Sequence, residues 1–359
     1  MLAGIAPQAW ANSGGGDFND EGGNKAYGGQ GSNNANVIFD DGSGSYFSAF
    51  GGYSCVDSWC SSGVDASGKA DNNALTIAST GKVYAALGGA ASSPGSYTSA
   101  VGNTLTVKGT VSHALGGASQ SGPASDNQVF VEAGSTVDVR VTGGLTTYGN
   151  ATGNTVTING GTVQGNVFGS ESRLGEAINN TVHISGTPDL SSATLYGGYN
   201  PIAGTDATTG NTLEVESKNL KVAGVQNFEN ITFTLPTGTT ASDTVLIVNN
   251  AADLTGVNIT VGGSIPKLAA GQKLTLISRV SGTPATSSGV PSGLVLDASS
   301  GALVLKAPPP PSPPVPGSAT AVPTLGDIGL LLSGLALAGA AAPALRRRER
   351  RERKARGQD

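Results

Sequence analysis

Gly153-Asn154-Thr155-Val156-Thr157-Ile158-Asn159-Gly160-Gly161-Thr162-Val163 reads as an asparagine-led strand, a glycine turn and the start of a second strand. Within it Val156 and Ile158 alternate with threonines, the period-2 pattern of a strand with one face buried, and the β-branched residues suit a pleated surface. The unit recurs. Strands of the same kind follow Asn73, Asn103, Asn127, Asn154, Asn180 and Asn211, at steps of 30, 24, 27, 26 and 31 residues. A second marker, Gly51-Gly52, Gly88-Gly89, Gly116-Gly117, Gly143-Gly144, Gly169-Ser170 and Gly197-Gly198, steps by 37, 28, 27, 26 and 28. Two independent markers therefore give one period.

A single strand of this kind cannot bury its apolar side, whereas repeats in the high twenties with glycine corners can stack into coils that share a core. Stacking predicts one interior row of Leu75, Leu105, Val129, Val156, Val182 and Leu213, and a ladder of Asn73 through Asn211. Asparagine suits a ladder because its amide both donates and accepts. Glycine is expected at the opposite corner for its access to positive φ. An unstructured tract does not keep β-branched strands in two consistent registers. A β-sandwich shares the frequent turns but has no need of whole-unit self-similarity. The units resemble those of bacterial autotransporter passenger domains and related adhesins. That resemblance implies an all-β, right-handed parallel β-helix.

Composition fits a repetitive chain: 55 glycines in 359 residues, 5% aromatic and 13% charged residues. The net charge of −5 is uneven. Residues 346–359 hold eight basic and three acidic groups, which leaves twelve basic against twenty-two acidic, or −10, on the remainder. Nucleic acid is thereby excluded as a partner, since phosphate binding needs clustered Lys and Arg.

The C-terminal residues carry three signals in order: Val322-Pro323-Thr324-Leu325, an uncharged apolar stretch over residues 328–345, and an arginine cluster beginning Arg346-Arg347-Arg348. As a helix the apolar stretch would span about 27 Å, close to a bilayer's hydrocarbon core of about 30 Å. One transmembrane helix is expected there. Its arginines would stay cytoplasmic and set the topology, so that everything upstream is exported. Tetrad, apolar segment and arginines together resemble the C-terminal sorting signals processed by exosortases, closest to the IPTL-CTERM class, with Val322 where that class carries Ile. The resemblance implies cutting near the tetrad by an exosortase-type transpeptidase in a Gram-negative envelope. An inner-membrane intermediate then leads to the cell surface, the outer envelope or the medium.

At the other end, Ala9-Trp10-Ala11 has the form of a signal-peptidase site without the basic and long apolar regions that normally precede it. Residues 1–11 are read as a truncated signal-peptide remnant. The domain reading continues with 12–70 as an N-terminal cap and first coil, 71–220 as solenoid repeats and 221–306 as C-terminal coils and cap. Residues 307–321 form a Pro-rich linker, and 322–359 the sorting signal. No pore-forming barrel pattern follows the repeats.

Cys55 and Cys60 are expected to form a local disulfide, because export places them in an oxidising compartment. A zinc site lacks ligands, His113 and His183 being far away in sequence. Glu132, Asp138, Glu171, Glu176, Asp189, Arg140 and Arg173 read as scattered, solvated outward charges, the alternative for Arg140 and Arg173 being that either meets a carboxylate in space. The acidic turns Asp17-Phe18-Asn19-Asp20-Glu21 and Asp40-Asp41-Gly42-Ser43-Gly44-Ser45 have calcium-compatible oxygens but match no calcium loop. The expectation is no metal, no cofactor and no catalytic set. The expected function is that of a non-enzymatic, adhesin-like or matrix solenoid with a surface glycan or host ligand as partner. The alternatives are a carbohydrate-active β-helix lyase or hydrolase, and an autotransporter-like passenger lacking its barrel.

Overall fold

The computed structural model describes residues 25–27, 31–34, 37–40, 42, 46–55, 67–93, 97–202 and 204–309. The chain divides into two units, Met1–Pro309 and Pro310–Asp359. Only the first contains described residues. It is a parallel β-solenoid, all-β throughout the described residues.

Two sheets run its length. A 10-stranded sheet of short strands contains Ala74–Ile77, Thr104–Val107, Gln128–Val131, Thr155–Ile158, Thr181–Ser185 and Thr212–Glu216. A 13-stranded sheet of mostly longer strands contains Tyr46–Cys55, Lys82–Ser92, Thr110–Ser119, Thr136–Thr146, Asn166–Ser172 and Leu190–Tyr199. In the short-strand sheet Leu75 pairs with Leu105, and the row runs on through Val129, Val156, Val182 and Leu213. The expected interior row is therefore present. It continues to Ile231 and Ile259. Every one of these side chains is at most 2% exposed, so each contributes about 1.5–3 kcal/mol of apolar burial.

The asparagine ladder also forms, and it starts one coil earlier than expected. Asn154 Oδ1 accepts both the backbone N–H and the side-chain Nδ2–H of Asn127, at 3.0 and 2.9 Å. The same double bond links Asn34 to Asn73, Asn73 to Asn103, Asn103 to Asn127, Asn154 to Asn180 and Asn180 to Asn211. Each Nδ2 of the later rungs also donates to a backbone carbonyl, Ala124 in the case of Asn154. A buried amide is stable only when so satisfied.

The glycine pairs differ from expectation in place and reason. They lie inside the long strands, not at corners, and none has positive φ. Their role is close approach. A Cβ on Gly89 would lie 2.3 Å from Asn103 Oδ1, and one on Gly144 2.4 Å from the Ala124 carbonyl. The two markers are thus the two halves of one contact, the ladder lying against bare backbone. Positive φ occurs instead at the residue preceding each rung: Asn33, Asn72, Gly102, Asp126, Gly153, Asn179 and Gly210. Gly, Asn and Asp are the residues that enter this region at least cost.

Short two-residue strands such as Ala100–Val101 and Ala151–Thr152 close the third side, with Ala70, Ala100, Ala124, Ala151 and Ala177 fully buried. Past Asn211 the left-handed residue Asn227 is followed by buried Phe228, and the ladder stops. At the C-terminal end Leu303–Lys306 pairs antiparallel with both Lys273–Ile277 and Val295–Asp297. This hairpin, tied by an Asp297–Lys306 ion pair, covers the edge of the long-strand sheet.

Candidate binding face on the long-strand sheet

The outward surfaces of the two sheets differ in chemistry. That of the short-strand sheet is mainly hydroxylic, with Thr106, Thr157, Thr232 and Thr260 in register, interrupted by Phe130 and by His183, whose Nδ1 lies 3.0 Å from Glu214 Oε2. The long strands instead present three outward rows. One runs Ala85, His113, Arg140, Asn166; the next Leu87, Leu115, Thr142, Phe168, Tyr196; the third Ala90, Ala118, Leu145, Glu171, Tyr199.

The first coils of this face are apolar. Phe50, Tyr53, Leu87, Ala90, Leu115, Ala118 and Leu145 form a cluster separate from the solenoid's interior. The later coils are polar and aromatic. Arg140 Nη1 donates to Glu171 Oε1 at 3.0 Å, and Thr142 Oγ1 donates to the same oxygen at 2.9 Å. The pair is nearly dry, with side chains 12% and 9% exposed. This corrects the expectation of solvated outward charges for Arg140 and Glu171. Asp138, Arg173, Glu176 and Asp189 are exposed as expected. Beside the pair, Phe168 stacks on Tyr196 at 4.9 Å and 14°, and Tyr199 packs edge-on against Tyr196 at 5.6 Å. Burial, and secondarily Tyr199, raise the Tyr196 hydroxyl above the ordinary tyrosine range.

His113 sits in register with Arg140, and its Nε2 lies 3.1 Å from the Tyr84 hydroxyl. Burial, reinforced by the Arg140 guanidinium, lowers its pKa from 6.5 to about 4. At neutral pH the imidazole is therefore uncharged. Two buried polar atoms here, His113 Nδ1 and Arg140 Nε, meet no hydrogen-bond partner among the described residues.

Both margins of the face carry exposed apolar side chains. Gly122, Gly149 and Gly175 stack: a Cβ on each would lie 1.9, 2.1 and 2.2 Å from the carbonyls of Thr98, Gly122 and Gly149. The residues just before these positions, Tyr97, Ser121, Tyr148 and Leu174, therefore align along one ridge. Tyr97, Tyr148 and Leu174 are 67%, 59% and 45% exposed, and Ile202 in the next loop 41%. On the other margin a bulge between Val137 and Arg140 turns Val139 outward, and Tyr84, two coils earlier, is exposed as well.

The residues singled out in the tail, Val322, Pro323, Thr324, Leu325, Arg346, Arg347 and Arg348, lie outside the described residues. Cys55 ends a long strand and is disulfide-bonded, while Cys60, its expected partner, also lies outside them. The acidic turn over residues 17–21 is outside as well, and of residues 40–45 only Asp40 and Gly42 are described. Among the described residues no three His, Cys, Asp or Glu side chains come together as a metal site, and no helix is long and apolar enough to cross a membrane. Comparison with known proteins returns no family, no curated relative and no solved structure that matches the chain.

Proposed function

We propose that the chain is an exported, non-enzymatic surface solenoid, adhesin-like or matrix-forming, delivered by its C-terminal sorting signal. The observation that carries the binding role is the ridge of exposed Tyr97, Tyr148 and Leu174, with Ile202 in the next loop, along one margin of a face of buried charge and stacked rings. Exposed apolar residues gathered on one side of a soluble scaffold mark an interaction surface. A coil contacts only its neighbours, so such loops can vary without disturbing the stack. The solenoid coils right-handed in this reading, the sense that parallel crossovers overwhelmingly take.

Delivery rests on the sequence of Val322-Pro323-Thr324-Leu325, apolar segment and arginines, with the Pro-rich linker as spacer. The partner is an exosortase-type transpeptidase, met at the inner membrane before transfer to the surface or release. Changing Pro323 and Thr324 to Ala should leave the tail attached, read as an unprocessed mature mass in cells that carry such an enzyme. Normal processing of that variant would remove the sorting part of the proposal.

A second reading has one specific footing. Neutral His113 bonded to Tyr84 beside a guanidinium is a proton-transfer arrangement suited to β-elimination on a uronate. Release of unsaturated oligosaccharide from an anionic glycan, abolished in His113→Gln, would favour a lyase over an adhesin.

A further inference from the structure

We infer that the polar and aromatic end of the long-strand face is a binding site for a neutral pyranose glycan, lying along the solenoid axis. This deepens the adhesin reading and rests on it for its biological setting. Tyr196 and Tyr199 are both half-buried, held in place by Phe168, and supply rigid ring surface against which the C–H face of a sugar can pack. Next to them Glu171 and Arg140 supply planar, charged hydrogen-bonding groups whose positions are fixed by Thr142 and by each other. Vicinal hydroxyls match such planar pairs, because a charge-assisted bond to a hydroxyl is stronger than its neutral counterpart. Rigid rings beside a few fixed polar groups are the usual make-up of a small-ligand site.

Two further observations select the ligand. The Arg140 charge is balanced by Glu171, His113 is neutral, and the chain before the tail carries a formal −10, which favours a neutral polymer over an anionic one at the aromatic end of the face. Phe168 and Tyr196 also stand one coil apart in the same row, a step of about 4.8 Å, which is close to the advance of one pyranose unit in an extended glycan.

The test is affinity electrophoresis of the full chain in detergent, through gels containing a neutral β-glucan, a mannan or N-acetylglucosamine oligomers, with alginate as the anionic counterpart. Retardation by at least one neutral glycan is expected. Glu171→Gln and Tyr196→Ala should each weaken it by roughly tenfold or more, while Thr157→Ala on the other sheet leaves it unchanged. Circular dichroism and thermal unfolding identify any variant that fails to fold, and Tyr199→Ala then takes its place. Retardation by alginate alone, equal retardation of all variants, or no retardation in any neutral gel would overturn the inference. Binding to a protein partner insensitive to Tyr196→Ala and Glu171→Gln would overturn it in favour of a protein-docking face. The assay is independent of tail processing. Loss of glycan binding with normal sorting therefore condemns this site alone, and the converse condemns the delivery proposal alone.

Discussion

At the residue scale the fold turns on asparagine. Each interior rung accepts two bonds from the rung before it and donates two to the rung after it, and all from Asn103 to Asn211 are fully buried. Asn154→Ala would strand the backbone N–H and the amide of Asn127 away from water. Each such orphan costs about 1–3 kcal/mol, so a loss of about 2–6 kcal/mol is expected from urea unfolding of the variant. The rungs were legible in the sequence because their spacing and the following strands agree. The reason for the glycines was not, since close approach and positive φ both select glycine and only the fold separates them. A further signal was there to be read: the tetrapeptides Ala100-Val101-Gly102-Asn103, Ala124-Ser125-Asp126-Asn127, Ala151-Thr152-Gly153-Asn154 and Ala177-Ile178-Asn179-Asn180 encode buried Ala, left-handed turn and rung together.

His113 carries a second prediction at this scale. Its folded pKa lies near 4, below the unfolded value near 6.5, so between these values the unfolded chain binds the extra proton. The stability it contributes is complete above about pH 6.5 and falls away as the pH drops toward 4. A comparison of urea midpoints against pH should therefore show a shallower slope across that window for His113→Gln than for the natural chain. Parallel slopes would mean that His113 titrates normally.

Among the elements, the long strand was least legible. Lys82–Ser92 runs Val-Tyr-Ala-Ala-Leu-Gly-Gly-Ala-Ala with both faces covered, so period-2 alternation disappears. Its glycine pair looks like a break in the chain. The Arg140–Glu171 contact was hidden for a related reason. The two residues are 31 apart in sequence and occupy different positions of their repeats: the register sets Arg140 beside Asn166 and Glu171 beside Leu145, so aligning the repeats does not pair them. Breaking a nearly dry pair exposes the remaining charge to an environment that cannot solvate it. Arg140→Met and Glu171→Met should each cost about 3–5 kcal/mol, while the double variant should recover most of that loss. Additive losses in a double-mutant cycle would show that the two side chains act independently.

Over the whole molecule, stability comes from nearest-neighbour stacking, and the ends need separate treatment. The antiparallel hairpin at Val295–Asp297 and Leu303–Lys306 supplies it at the C-terminal edge of the long-strand sheet. The Asn and Gly-Gly markers fade after Leu220 although parallel coils continue to Thr286–Ser288, and the antiparallel hairpin beyond them was not legible, because short strands do not declare their direction. The interior row, the ladder and the hydroxylic sheet all follow from one geometry, parallel coils stacked in a single register. Thr106 and Thr232 lie on the same outward row five coils apart, and Thr260 six. Nitroxide labels at positions 106 and 232, and at 106 and 260, report those spans by pulsed electron resonance. Stacked coils require backbone separations of about 24 and 29 Å, a step of about 4.8 Å for the added coil. Separations that do not grow by that step, or that place 232 and 260 equally far from 106, would contradict the solenoid.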